Sequence, residues 1–277
     1  MLISAQSELR RPLHFLRSLL RDIRGSRVLT KQLLLRNLRH SYRQSLLGYV
    51  WAFVPPLAIA GAFVLMGRAK VINVGPTELP YTAYVVFNMA IWQTFLEALN
   101  APIVAVLNSR PILTRIRFPR EALLFAKFAE VAINFGIKLV LIAATLAWFG
   151  VAIKPTAPLA LLAVLALILF GAFVGLLLAP LAALYQDVSK ALPLVGLFWM
   201  LMTPVVFPVP DAGFFAQIVQ ANPVTPLLVT VRELATSDTL TSLRACIVFS
   251  VLAVVGTVAG MLVFRLAMPY IAERIPS

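Results

Sequence analysis

Five apolar runs, each long enough to cross a bilayer, leave this chain few folds to choose from. They fall at about residues 46–67, 80–107, 122–150, 157–184 and 243–268, and a hydrocarbon core of about 30 Å needs roughly 20 helical residues. A sixth run, 191–207, is shorter and ends in TPVVFPVP, where Pro204, Pro208 and Pro210 stop a regular helix. With 61% hydrophobic and 13% charged residues and a mean hydropathy of +0.91, the chain cannot hide its apolar surface in one water-soluble core. The expectation is an all-α integral membrane protein with six transmembrane helices. Between the fifth and sixth, the mixed segment Asp211–Thr241 holds apolar pieces such as FFAQIV that are too short to span. It reads as re-entrant or interfacial helices, which are tolerable where protein or a water-filled cavity satisfies the backbone.

Basic residues fix the orientation. Arg10 to Arg43, the stretch NSRPILTRIRFPRE (108–121), Lys190, Arg265 and Arg274 place seventeen of them on one side of the spans, against five on the other. The positive side is cytoplasmic, so both termini and the 108–121 loop are expected there. The net charge of +13 is then a consequence of topology rather than of nucleic-acid binding. Three regions follow: a cytoplasmic amphipathic interface segment (1–45), a six-helix transmembrane domain (46–268) and a cytoplasmic tail (269–277). In the first, Leu13, Leu16, Leu19, Leu20 and Ile23 recur at helical spacing, as an N-terminal helix lying in the interface requires. A second amphipathic helix follows, with Arg36, Arg39 and Arg43 on one side and Leu35, Leu38, Tyr42 and Leu46 beside them.

Two polar stripes lie inside the apolar runs. Gln93, Glu97, Asn100 and Asn108 share a narrow arc of the second span, and Lys127, Glu130, Asn134 and Lys138 share one on the third. Ionisable groups at that depth need a reason. The two helices are antiparallel across the basic loop, and the depth of Glu97 between Glu130 and Lys138 makes a Glu97–Lys138 pair possible. The stripes fit either a polar contact that fixes helix packing or a wetted pathway.

Chemistry of the usual kinds has no foothold. The chain contains no Gly-Lys-Ser/Thr phosphate loop. His14 and His40 lie in the basic N-terminal region without metal-ligand spacing, Asp187 is a solitary acid, and the single cysteine, Cys246, offers neither a disulfide framework nor a metal site. No catalytic residue and no metal ligand is expected.

Four blocks carry a resemblance. YRQSLLGYVWAFVPPL (42–57), the Arg110 loop ending FPRE, DVSKALPLVGLFWMLMTPVVFP (187–208) and NPVTPLLVTVREL (222–234) resemble, in this order, ABC-2 type permeases of bacterial polysaccharide exporters. The resemblance covers nearly the whole chain. It implies a transporter subunit of the bacterial inner membrane that moves lipid-linked glycan outward, such as O-antigen, capsule or teichoic acid precursors. It also implies a homodimer of this chain bound to two copies of a cytoplasmic ATPase, which would hold the ATP and Mg; no cofactor is expected in this chain. By the same resemblance, 108–121 is a coupling helix seated on the ATPase, with Arg110, Arg115, Arg117, Arg120 and Glu121 as polar residues, Phe118 as anchor and Pro119 setting the turn. The region 208–241 corresponds to an extracytoplasmic gate, with Asn222 and Pro223 starting a short helix and Arg232 and Glu233 near its end.

A glycan is polar but presents flat C–H faces, which aromatic rings can cover. Tyr49, Trp51, Phe53, Phe87, Trp92 and Trp199 are the candidates for such a lining. Two other readings share some of these features: an ABC-2 permease for drugs or small lipids, and a membrane enzyme acting on polyprenyl-linked sugars. The enzyme would need paired acids, which Glu97, Glu130 and Asp187 do not convincingly supply.

Overall fold

The computed structural model describes residues 27–43, 53–69, 75–113 and 121–274. Helices are α1 (Arg27–Arg43), α2 (Val54–Arg68), α3 (Tyr81–Leu113), α4 (Glu121–Trp148), α5 (Ala157–Leu184), α6 (Gln186–Leu201), α7 (Phe214–Ala221), α8 (Val224–Thr236) and α9 (Leu243–Arg274). Four of them are long and apolar enough to cross a membrane: Tyr81–Asn108, Glu121–Trp148, Ala157–Leu184 and Leu243–Met268. The chain is a multi-pass membrane protein whose regular structure is all helix among the described residues.

The described part of the expected first span, α2, has 15 residues, and the helix of the expected fifth, α6, has 16, fewer than a bilayer crossing needs. Helix α6 begins earlier than the apolar run because QDVSK forms its first turn, and it ends before Pro204, which cannot continue it. The amphipathic helix expected before residue 25 lies outside the described residues. In the region of the second, α1 packs on α4 with Leu33 buried, while Leu35, expected on the apolar side, is exposed along with Lys31, Gln32 and Arg36. Helix α3 runs through Asn108–Leu113, which the sequence assigned to the basic loop.

At the centre α5 packs against α3, α8 and α9. Lipid gives helices no hydrophobic drive to associate, so close backbone approach through small residues takes its place. Gly171 and Gly175 supply it on one side of α5: a Cβ at Gly175 would sit 2.1 Å from the Leu99 carbonyl oxygen, and one at Gly171 would sit 2.8 Å from that of Phe95. On α9, Gly256 makes room for the Phe173 ring and Gly260 for the Leu176 side chain of α5, and the Thr257 hydroxyl lies 2.8 Å from the Leu169 carbonyl. The outward faces of α5 and α9 are aliphatic, with Leu161, Leu162, Leu165, Val251, Leu252 and Val255 exposed, as lipid contact requires.

Candidate functional site

The irregular stretch after α6 is where the backbone departs most from helix. Its freed carbonyls need donors, and α3 brings three to one face at helical spacing. The Tyr81 hydroxyl reaches Val206 O at 3.1 Å, that of Tyr84 reaches Phe207 O at 2.8 Å and Pro204 O at 3.1 Å, and Asn88 Nδ2 reaches Val205 O at 3.2 Å. Below this rack the chain turns back through α7, and α7 and α8 meet at 80°.

Asn222 fixes that bend. Its Oδ1 accepts from Val224 N and from Trp199 Nε1, both at 3.1 Å, while its Nδ2 donates to Met202 O and to the Thr203 hydroxyl. Pro223 is the cap residue at the start of α8. Every residue from Val224 to Ala235 is buried, so α8 is part of the bundle core while α7 keeps Phe214, Phe215, Gln217 and Gln220 exposed. Arg232 and Glu233, adjacent in sequence, point to different neighbours. The Arg232 guanidinium lies 4.7 Å over the Tyr84 ring and 3.5 Å from Glu78. Glu233 accepts from the Thr241 N–H at 3.1 Å, the Ser242 N–H at 3.4 Å and the Thr241 hydroxyl. Ser242 is the residue whose carbonyl takes the first bond of α9, so Glu233 supplies that helix with a cap and a negative charge at its N-terminus, where α9 has no acidic residue of its own. Lys154 N and the Thr156 hydroxyl hold the last carbonyls of α8, Ala235 O and Leu234 O. The C-terminal end of α8 is thereby fastened to α3, to the start of α5 and to α9.

The second polar region is the α3–α4 seam. Lys138 Nζ lies 2.7 Å from Glu97 Oε1 and donates to the Thr94 hydroxyl at 3.3 Å, and Asn134 Nδ2 is 3.5 Å from Glu97 Oε2. The ammonium is 1% exposed and the carboxylate side chain 32%. Lys127 and Glu130 pair within α4 at 2.7 Å. Asn100 bonds back to Leu96 O, and Gln93 and Asn100 are half-buried on the same α3 face as Glu97.

The remaining sequence candidates are placed as follows. Arg110 falls on α3; Arg115, Arg117, Phe118, Pro119 and Arg120 lie outside the described residues, as do Tyr49 and Trp51. Glu121 opens α4 and is buried, with its Oε1 2.8 Å from Arg265 Nε, so its carboxylate is engaged by α9 rather than presented at the surface. Phe87 and Trp92 are 3% and 1% exposed, and Trp92 packs with Phe95 and Trp199 at centroid distances of 5.2 and 6.4 Å. These two rings are packed in the protomer interior, while Phe53 and Trp199 are half-buried. Sequence reasoning passed over Tyr81, Tyr84 and Asn88, whose three- and four-residue steps were a readable signal, and the GxxxG spacings Gly171–Gly175 and Gly256–Gly260. Among the described residues no group of three His, Cys, Asp or Glu side chains could hold a metal.

A polytopic helical bundle with a broken, internally satisfied helix pair beside one face and an ion pair within its spans has the build of a membrane transport protein. The ABC-2 type transporter family model matches residues 28–235, and the chain belongs to that family. It is 25% identical over 215 residues to the O-antigen export system permease protein RfbA of Myxococcus xanthus, covering 76% of this chain and 81% of the relative. It is 21% identical over 239 residues to the protein of the same name from Klebsiella pneumoniae, covering 83% and 88%.

Proposed function

We propose that this chain is the membrane subunit of an exporter that carries lipid-linked polysaccharide outward across the bacterial inner membrane. The observation that carries the reading is the broken α7–α8 pair beside the Pro-rich stretch 203–208, with its carbonyls held by Tyr81, Tyr84 and Asn88. Irregular backbone at membrane depth marks a pathway in proteins that move polar cargo. Family membership and the names of the two relatives support the cargo class. In this reading α2 and α6 complete six crossings, both termini and residues 114–120 face the cytoplasm, and two copies of the chain form the channel. The energy comes from two copies of a separate ATPase that bind ATP and Mg, engaged through the segment from Arg110 to Arg120. Phe118 seats in a groove of that partner, and the basic residues meet its surface. Motion there reaches the outer side, where α7 swings about Asn222–Pro223 while α8 stays with the bundle. Trp199 and Phe53, together with Tyr49 and Trp51, are the aromatic residues left to meet the sugar faces.

The test is copurification with a candidate ABC ATPase from the same genome, followed by ATP turnover in lipid with and without polyprenyl-linked glycan. A stable complex stimulated by glycan is the expected result. A stable complex indifferent to glycan would move the cargo to small lipids or drugs, and no complex would overturn the assignment of an ATPase partner.

A further inference from the structure

Among the described residues the polar face of α3 is only partly covered. Gln93, Glu97 and Asn100 are half-buried, whereas Trp92, Thr94, Phe95, Ala98 and Leu99 around them are buried. Glu97 lies 16 residues into the span, roughly 24 Å from Tyr81 at about 1.5 Å per residue, well inside the hydrocarbon thickness. A one-third-exposed carboxylate at that depth cannot be turned to lipid without a large cost. Walls stand on both sides of it. On one side α4 brings Lys138 and Asn134 to the carboxylate. On the other α6 approaches through Gly196, whose added Cβ would lie 3.2 Å from Leu96, and through Trp199 against Trp92 and Phe95.

The charge at this face is balanced while its hydrogen-bonding capacity is not. Lys138 neutralises Glu97 from the buried side, and Lys127 neutralises Glu130, so neither an inorganic cation nor a polyanion is attracted by net charge. Glu97 nevertheless has about four acceptor sites, of which Lys138 and the long contact to Asn134 occupy the inner ones. Gln93 one turn before it and Asn100 one turn after it add amide groups that both donate and accept. Asn100 is held in place by its bond to Leu96 O at 2.8 Å. A row of hydrogen-bonding groups, two of them held in place and the whole without net charge, suits a neutral ligand rich in hydroxyls.

We propose that Gln93, Glu97 and Asn100 form a contact site for the uncharged, hydroxyl-bearing sugars of the cargo, with Glu97 as an acceptor locked in position by Lys138. This rests on the exporter reading and adds a substrate preference to it: neutral glycan over phosphate-rich chains. The experiment uses the complex with its ATPase in lipid nanodiscs and two probes. One is a polyprenyl diphosphate-linked neutral hexose oligosaccharide, the other the same lipid bearing a polyol-phosphate chain.

The unmutated complex is read first; no stimulation of ATP turnover by either probe would sink the exporter reading and this inference with it. Given stimulation, Gln93→Leu with Asn100→Leu should raise the neutral-glycan concentration for half-maximal turnover about tenfold, the equivalent of one or two net hydrogen bonds. Thr145→Val, outside the stripe, should move it less than twofold. A second readout does not depend on the leucine variants folding. In a Cys246→Ser background, Gln93→Cys and Asn100→Cys should react with a small water-soluble thiosulfonate and be protected by the neutral probe, while Leu162→Cys on the lipid face should show no protection. Unchanged half-maximal concentrations, stronger stimulation by the phosphate-rich probe, or cysteines that never react because a second copy seals the face would each overturn the proposal.

Discussion

Alanine at Gly175 is the sharpest test of how this bundle is held. The new Cβ would stand 2.1 Å from the Leu99 carbonyl oxygen, 3.0 Å from its carbonyl carbon and 3.1 Å from Pro102 Cδ. Two of these three atoms are helix backbone, so no side-chain rotation relieves the clash. The α3 and α5 axes must separate until the oxygen reaches the 3.4 Å of ordinary contact. Separation along this seam also loosens the stacking of Phe95 on Phe170, now at a centroid distance of 6.3 Å. Overpacking costs about 1–3 kcal/mol, and with rigid backbone on both sides the cost should fall near about 3 kcal/mol. At about 2–4 °C per kcal/mol for a chain of this size, the melting temperature should drop by roughly 6–12 °C. Gly136, whose added Cβ meets nothing within 4 Å, is the control: alanine there should hold or raise stability by up to about 1 kcal/mol through helix propensity. The chain carries its own reporter, because its single cysteine, Cys246, is 4% exposed and reacts with a thiol-activated fluorophore only as the bundle opens. A Gly175→Ala protein melting within about 2 °C of the parent would refute the close-packing argument.

Three further outcomes are expected. Glu97→Leu strands Lys138, which is 1% exposed, whereas Lys138→Met strands a carboxylate that is 32% exposed. The first should therefore be the more damaging, at about 3–5 kcal/mol for an uncompensated buried charge, and the double variant should recover most of the loss in the same melt; equal losses from the two single changes would contradict the burial asymmetry. Tyr84→Phe keeps the ring beneath Arg232 but removes the hydroxyl near Pro204 O and Phe207 O. It should cost about 1–3 kcal/mol and raise amide hydrogen exchange in the segment after α6; exchange unchanged there would mean the rack does not hold that segment. Phe118→Ala with Arg117→Ala should lower glycan-stimulated ATP turnover at least about tenfold, the effect of losing one interface anchor, with membrane insertion intact by protease accessibility. Full turnover would remove that segment from the ATPase contact.

How far the sequence could be read differs from element to element, for physical reasons. The start and end of α5 follow from its apolar run, because hydrocarbon filters residues along the whole helix and leaves a signal some 28 residues long. The proximity of Glu97 to Lys138 was readable from arc and depth on two antiparallel helices. Burial of Phe87 and Trp92 was not, because an aromatic ring suits lipid, interior and lining alike, and only the neighbouring helix decides which of these it meets. The opposed roles of Arg232 and Glu233 also escaped, since one residue step turns a helix by about 100° and the partners, Glu78 and Thr241, are set by the tertiary arrangement of loops. Glu121 was grouped with the basic loop because it closes FPRE, yet α4 starts on it and α9 brings Arg265 to meet it.

Helix α3 joins the two halves of the argument. Leu99 and Phe95 face the glycines of α5, while Glu97, between them in sequence, is turned by about 200° from each at about 100° per residue and faces α4 and the open side. One helix thus carries a back that admits no added atom and a front lined by polar groups without net charge. The two functions should separate. Substitutions on the back, at Gly171 or Gly175, should lower the melting temperature and leave the half-maximal glycan concentration of the surviving complex alone. Leucine at Gln93 or Asn100 should shift that concentration with little change in melting. If both sets moved both quantities together, α3 would have to be a single flexible element whose packed back and polar front cannot be separated.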